Sequence, residues 1–222
     1  MQQFCKMKTT HLVARLTLIA TVLLPATLTA AIPGFSEDFE SGLSQWTGRA
    51  GGSHSGQIVA DPLASGNGGV LNFTSLAGGG DIFASSALSL SGPIEISFDY
   101  LGLPALGGVP DDLGGFLGIA YSLNPTADGV DIFWYAGSQN YPGLAVNLVD
   151  DGHWHRYSFQ LDASALPPFH LILEDFSGSG GVAGDAHFDN ITVTPVPEPT
   201  TLSLAALAAV LAARTAQRNR RG

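Results

Sequence analysis

The sequence predicts an all-β domain, an antiparallel sandwich of two sheets, lying between an N-terminal signal helix and a C-terminal apolar helix. Two observations favour this fold class. Segments between residues 35 and 194 alternate apolar and polar side chains, which is the period of a strand with one buried face. Glycine is abundant, at 28 residues, and glycine-containing turns separate the segments at the short spacing of a β-sandwich.

The clearest strand is Pro93 to Leu101, in which Ile94, Ile96, Phe98 and Tyr100 share one face. Other short strands are expected at 35–40, 57–60, 69–73, 81–84, 87–90, 116–121, 131–136, 144–149, 155–161, 169–173 and 186–194. The segment 131–136 differs from the rest because it is apolar on both faces. A strand of that kind is usually buried on both sides.

Residues 1–31 have the composition of a secretory signal peptide. Lys6 and Lys8 give a basic start, residues 16–24 are apolar, and small residues precede an expected cleavage after Ala31. The alternative is an uncleaved membrane anchor. The single cysteine, Cys5, lies in this segment. A chain cut after Ala31 would therefore have no disulfide, and its fold would depend on a core, a metal or both.

The expected domain, residues 32–195, is strongly acidic. Its 18 acidic residues against two arginines, Arg49 and Arg156, give a formal charge of −16. Such a surface repels nucleic acid and anionic membranes, so nucleic acid is excluded as a partner. The same charge suits divalent cations and neutral or cationic partners.

Residues 196–222 contain three different parts in a fixed order. The first is a stiff, extended tetrapeptide at 196–199, made of Val196, Pro197, Glu198 and Pro199. An apolar helix follows at about 200–213, and we expect it to cross the membrane. The chain then ends at 214–221 with the arginines Arg214, Arg218, Arg220 and Arg221, which favour the cytoplasmic side.

This tail resembles the PEP-CTERM sorting signal of Gram-negative, polysaccharide-producing bacteria. The resemblance implies that an exosortase, a membrane protease or transpeptidase, recognises the tail after export. The protein would then lie transiently in the inner membrane and afterwards at the cell surface or in the extracellular matrix. A permanent anchor is the alternative, although the apolar run is shorter than the roughly 20 residues of a comfortable span.

The first and last strands also carry a resemblance. The matching residues are Asp38, Phe39, Glu40, Gly42 and Trp46 near the start, and Phe188, Asp189, Asn190 and Ile191 near the end. This frame is similar to that of concanavalin A-like jelly rolls, including carbohydrate-binding modules and MAM-type adhesion domains. The resemblance implies a jelly roll in which the opening and closing strands hold one structural calcium ion.

The matching calcium ligands are Glu40 and Asp189, with Asp38 as a further candidate. Charge favours the same site, because adjacent first and last strands would bring these carboxylates together, and calcium prefers oxygen ligands. The alternative is that they are solvated carboxylates at strand ends.

A glycan-binding face is expected around Trp134, Tyr135 and Tyr141, with Asp131 beside them. Flat aromatic rings stack on sugars, and nearby carboxylates and amides bind hydroxyl groups. The alternative is that Trp134 belongs to the core, since its strand is apolar on both faces.

We do not expect an enzyme. Glycan hydrolases of this fold carry a dense Glu-x-Asp-x-x-Glu strand, and Glu95 to Asp99 does not match it. The sequence favours an exported surface or matrix protein that binds extracellular polysaccharide or is embedded in it. A structural or adhesive surface protein without glycan binding and a diverged glycoside hydrolase remain as alternatives.

Overall fold

The computed structural model describes residues 34–74, 81–103, 114–137, 143–176 and 184–196. The predicted signal peptide, Tyr141 and the tail from Pro197 onward lie outside these ranges, and so does the predicted membrane helix at about 200–213. Within the described ranges, no helix has the length and apolar character needed to cross a membrane.

The described residues form twelve strands and two short 3-10 turns, which confirms the all-β prediction. The strands are β1 (Phe35–Glu37), β2 (Trp46–Thr47), β3 (Gly56–Ala60), β4 (Gly69–Phe73), β5 (Ile82–Ala84), β6 (Pro93–Gly102), β7 (Gly115–Ala120), β8 (Ile132–Gly137), β9 (Val146–Asn147), β10 (His155–Asp162), β11 (His170–Asp175) and β12 (Ala186–Pro195). The 3-10 turns are Arg49–Gly51 and Ala163–Ala165. A strand at 87–90 was a wrong prediction, since only Leu88 pairs there, in an isolated bridge with Phe169.

Two six-stranded sheets make the sandwich. The first sheet has the order β10-β6-β12-β4-β3, and β1 also pairs with β12. The second sheet has the order β2-β5-β11-β7-β8-β9. Every pairing between these strands is antiparallel except that of β8 with β9.

The core lies between the two sheets. The predicted inner face of β6 is confirmed, because its four alternating apolar side chains are all buried. They pack in one cluster with Leu117 and Ile119 of β7 and with Leu171 and Leu173 of β11. Apolar burial stabilises folding by roughly 25 cal/mol per Å², so this cluster is the main source of stability in the domain.

The first and last strands are neighbours, as the sequence predicts. Phe35 pairs with Val193 and Glu37 with Ile191. The first strand is shorter than expected and ends at Glu37, because Phe39 adopts a left-handed backbone with φ 56°. That turn buries the Phe39 ring in the core, where it stacks on Trp46 with centroids 5.8 Å apart.

A buried carboxylate, that of Glu37, ties the two sheets together. Its Oε1 accepts a hydrogen bond from the Phe39 amide at 2.8 Å. Its Oε2 accepts from the Trp46 indole Nε1 at 3.0 Å and from Gln45 Nε2 at 3.3 Å. Because Glu37 belongs to β1 and Trp46 to β2, the contact joins the first sheet to the second.

We expect Glu37→Ala to lower the free energy of unfolding by about 2 kcal/mol or more, because it leaves a buried indole N–H and a buried amide without their charged acceptor. Urea denaturation measures the change. The matched control is Glu95→Ala, on the outer face of β6, which we expect to change stability by less than about 0.5 kcal/mol. Equal effects of the two substitutions would contradict the proposed tie.

Candidate functional site

Strand β8 directs its side chains to two different environments, because neighbouring residues on a strand point to opposite faces. Tyr135 points toward the first sheet and stacks on Phe159 of β10, with ring centroids 5.4 Å apart. Trp134 lies on the outer face of the second sheet, edge-on to Phe116 at 5.6 Å. The two aromatic residues that the sequence analysis grouped together therefore lie on opposite sides of the sheet.

A second apolar cluster covers the outer face of the second sheet. Its members are Phe83, Phe116, Ala120, Ile132, Trp134 and Ile172. The indole of Trp134 fits over Gly118 of β7, where an added Cβ would come within 2.9 Å of the ring. Only 9% of Trp134 is exposed. The residue is therefore largely buried, but in this outer cluster and not between the sheets.

A depression of about 210 Å³ opens beside this cluster, and we call it the Trp134 groove. Phe116, Ile132 and Trp134 form its apolar part. Its remaining lining residues are Arg49, Asp81, Asp128, Glu174 and Phe176. Phe176 is 40% exposed, whereas Trp134 is mostly buried, so Phe176 is the more accessible aromatic residue of the groove. The groove thus combines aromatic carbon with charged groups, which is the usual make-up of a small-ligand site.

A neighbouring depression of about 260 Å³ shares Asp128, Ile132 and Trp134 with the groove. Its other lining residues are Gly129, Phe133, Tyr135 and Gly143. Trp134 therefore lies in the wall between two depressions. Each is smaller than the roughly 300–1,000 Å³ of a pocket for a drug-sized ligand, so each has room for part of a chain-like ligand.

Ionic contacts organise the charged side of the groove. Arg49 contacts Asp81 through its Nη2, at 2.8 Å from Oδ2, and donates from Nη1 to the Pro125 carbonyl at 2.6 Å. Glu174 is hydrogen-bonded to Asp81. Burial raises the pKa of Glu174 to about 8, and the negative charges of Asp81 and Asp128 add to the rise. Glu174 therefore stays protonated at neutral pH, and its carboxyl O–H donates the hydrogen bond to Asp81.

The carboxyl pair in the groove does not have the spacing of a glycosidase pair. Asp81 and Glu174 are in direct hydrogen-bonding contact, whereas the two carboxyl groups of a retaining glycosidase lie roughly 5–5.5 Å apart and those of an inverting one farther. Asp99, in the segment compared with the hydrolase motif, is bound by Arg156 at 3.2 Å and by Asn190 at 2.8 Å on the first sheet.

Asp131, a predicted ligand-binding residue, stabilises a loop. Its carboxylate accepts hydrogen bonds from the amides of Thr126 and Ala127 and from the Thr126 hydroxyl, at 2.7–3.0 Å. The bonds from the Ala127 and Thr126 amides lower the pKa of Asp131. Asp131 lines neither depression, whereas Tyr135 lines the second one.

The predicted calcium residues lie near one another: Asp38 and Glu40 follow the end of β1, and Asp189 lies within β12, beside the register shift between Asp189 and Thr192. Asp189 is buried, and both of its oxygens accept hydrogen bonds from Asn190, at 2.7 and 3.0 Å. Burial raises the pKa of Asp189 to about 7, with further contributions from the charges of Asp99, Glu40 and Asp38. Among the described residues, however, no three His, Cys, Asp or Glu side chains are gathered closely enough to hold a metal ion. Calcium binding therefore stays a prediction.

Several groove residues were not predicted, namely Arg49, Asp81, Glu174 and Phe176. One signal was present, because Arg49 is one of only two basic residues between 32 and 195. The carboxyl pair had no such signal, since Asp81 and Glu174 are 93 positions apart and meet only through the pairing of β5 with β11.

No protein-family model matches the chain, and neither does any curated protein. Solved structures that resemble it include the CBM22-1 xylan-binding domain of Xyn10C from Paenibacillus barcinonensis, at 19% identity and a TM-score of 0.48, covering 76% of this chain and 97% of that one. A second is the K3 cleaved adhesin domain of Lys-gingipain from Porphyromonas gingivalis, at 14% identity and a TM-score of 0.45. That match covers 75% of this chain and 99% of the adhesin domain. A third is the carbohydrate-binding module CBM6cm-2 of lichenase 5A from Cellvibrio mixtus, in complex with cellotriose, at 13% identity and a TM-score of 0.40. That match covers 75% of this chain and 100% of the module.

These identities are below 25% and the TM-scores are below 0.5. The likeness therefore carries no argument about function, and the function has to be argued from the groove itself.

We expect Glu174→Gln to change how stability depends on pH. A carboxyl whose pKa rises from 4.5 to about 8 on folding contributes most stability below the unfolded pKa and loses it as pH rises toward the folded pKa. The variant should therefore match the parent at about pH 4.5 and exceed its Tm at about pH 8 by roughly 2 °C or more, the shift that 1 kcal/mol gives in a domain of this size.

Thermal unfolding across this pH range measures the difference. Glu95→Gln removes a carboxylate outside the groove and controls for the change in net charge. If the Tm of Glu174→Gln changed with pH in the same way as the Tm of the parent, Glu174 would have an ordinary pKa.

Proposed function

We propose that the protein is an exported, non-catalytic β-sandwich that binds extracellular polysaccharide in the Trp134 groove. The observation that carries the proposal is the pairing of an apolar aromatic wall with charged groups in one accessible depression on a sheet face. Pyranose rings have apolar C–H faces and polar hydroxyl edges, so they bind where aromatic carbon and hydrogen-bonding groups meet.

Each part of the groove has a role in this proposal. Phe176 and the exposed edge of Trp134 contact the C–H face of a sugar, and Phe116 excludes water beneath it. The carboxylates of Asp81 and Asp128 accept hydrogen bonds from sugar hydroxyls.

Export and sorting complete the proposal. The composition of residues 1–31 supports secretion, and the motif, apolar run and terminal arginines of 196–222 support recognition by an exosortase-type membrane enzyme. We place the mature domain at the cell surface or in the extracellular matrix of a Gram-negative bacterium, after a transient stay in the inner membrane. A polysaccharide ligand suits that location.

A structural calcium ion between the segment that follows β1 and Asp189 within β12 is a further part of the proposal. The pairing of these strands supports it, because Asp38, Glu40 and Asp189 repel one another there and a cation would relieve the repulsion. Calcium also accepts backbone carbonyls and water as ligands, so two or three carboxylates are enough. In a domain without disulfides, the ion would fasten the two chain ends.

We expect Trp134→Ala and Phe176→Ala each to weaken polysaccharide binding by about tenfold or more, equivalent to 1.4 kcal/mol, because each removes aromatic surface from the groove. Affinity electrophoresis in gels containing neutral or amine-bearing polysaccharides measures the retardation. Trp154→Ala is the matched control, since that indole is bonded to Asp61 outside the groove. Thermal unfolding confirms that each variant is folded.

Retardation that persists in both groove variants and disappears in Trp154→Ala would place the site elsewhere. A parent protein that no polysaccharide retards would favour the structural or adhesive alternative.

We expect calcium chelation to lower the Tm by several degrees, because a ligand at about 100 times its Kd stabilises the folded state by roughly 2.7 kcal/mol. Calorimetry with EGTA and with added calcium measures the shift. Asp189→Asn should abolish the response, whereas Asp162→Asn, at the far end of β10, should keep it. A parent Tm that is the same with and without calcium would exclude the site.

A further inference from the structure

We infer that the Trp134 groove recognises amine-bearing sugar units, so that the preferred ligand is a cationic polysaccharide. The inference rests on the proposed function and specifies its ligand class. Charge complementarity is the main argument: the described lining of the groove has three carboxyl groups, those of Asp81, Asp128 and Glu174, and one guanidinium, that of Arg49. The positive charge of Arg49 is already engaged by Asp81.

Glu174 lies where the excess negative charge is concentrated. Asp81 precedes β5, Asp128 lies in the loop before β8, Asp175 follows on β11, and all three raise the pKa of Glu174. Among the described residues that line the groove, Arg49 is the one arginine or lysine. In the free protein, the proton on Glu174 limits the repulsion. A ligand ammonium can take over that role, and Glu174 then releases its proton.

The aromatic wall also suits a cation. An ammonium group is attracted to the face of Trp or Phe within about 6 Å, and both Trp134 and Phe176 line the groove. A neutral N-acetyl group has no positive charge to complement these carboxyl groups. A uronic acid or a sulfated sugar would add to the repulsion, in a domain whose 18 acidic residues and two arginines give a charge of −16.

The experiment compares two probes of equal length, a β-1,4-linked glucosamine pentamer and its fully N-acetylated counterpart. Titration calorimetry at about pH 6, below the pKa of an amine, gives both affinities. We expect the amine-bearing pentamer to bind at least about tenfold more tightly. Repetition in buffers of different ionisation enthalpy should show release of protons on binding of the amine and none on binding of the N-acetylated pentamer.

Three isosteric variants place the effect in the groove or outside it. Glu174→Gln cannot ionise, so it should lose the proton release and most of the preference for the amine. Glu95→Gln removes one carboxylate from the outer face of the first sheet and should retain both. Asp128→Asn is a second groove variant, which should also reduce the preference for the amine-bearing pentamer.

Each outcome has a distinct meaning. Equal affinity for the two pentamers would overturn the inference but leave polysaccharide binding intact. Binding of neither pentamer, nor of any other polysaccharide, would overturn the proposed function as well. An amine preference that survives unchanged in Glu174→Gln and Asp128→Asn would come from the acidic surface as a whole and would overturn the assignment to the groove.

Discussion

The apolar character of both faces of the second sheet is the constraint on which the site depends. A strand points alternate side chains to opposite faces, so β8 sends Tyr135 toward the core and Trp134 to the outside. The outer residues must then be covered or grouped, and they form their own cluster with Phe116. The groove adjoins that cluster and shares Phe116, Ile132 and Trp134 with it. Its location therefore follows from the same packing that holds the sandwich together.

The second feature of the site is its concentration of carboxyl groups. In an open site, water would screen the carboxylates, but Glu174 is largely buried beside Asp81 and keeps its proton. A similar situation occurs at the other sheet, where Asp189 is buried near Asp38 and Glu40. In both places the described residues include more carboxyl groups than arginines. In the proposed function one of them receives calcium and the other a sugar, and in both cases a counter-charge comes from outside the chain.

Much of the fold could be predicted from the sequence, because strand period and glycine turns are local signals. The inner face of β6 and the pairing of β1 with β12 are examples. The site was predicted less well. Trp134 was visible as an aromatic on a two-sided strand, but Asp131 has a purely local hydrogen-bonding role. The Asp81–Glu174 contact depends on long-range strand pairing, which no local pattern reveals.

The three tryptophans allow the most direct test of the central claim that ligand binds on the outer face of the second sheet. Trp46 and Trp154 have indole N–H groups bonded to Glu37 and Asp61, away from the groove, and serve as internal references. Nuclear magnetic resonance follows all three indole N–H signals during titration with the glucosamine pentamer. We expect only the Trp134 signal to shift with ligand concentration. A Trp134 signal that stays fixed while the ligand binds and another indole signal moves would contradict the claim.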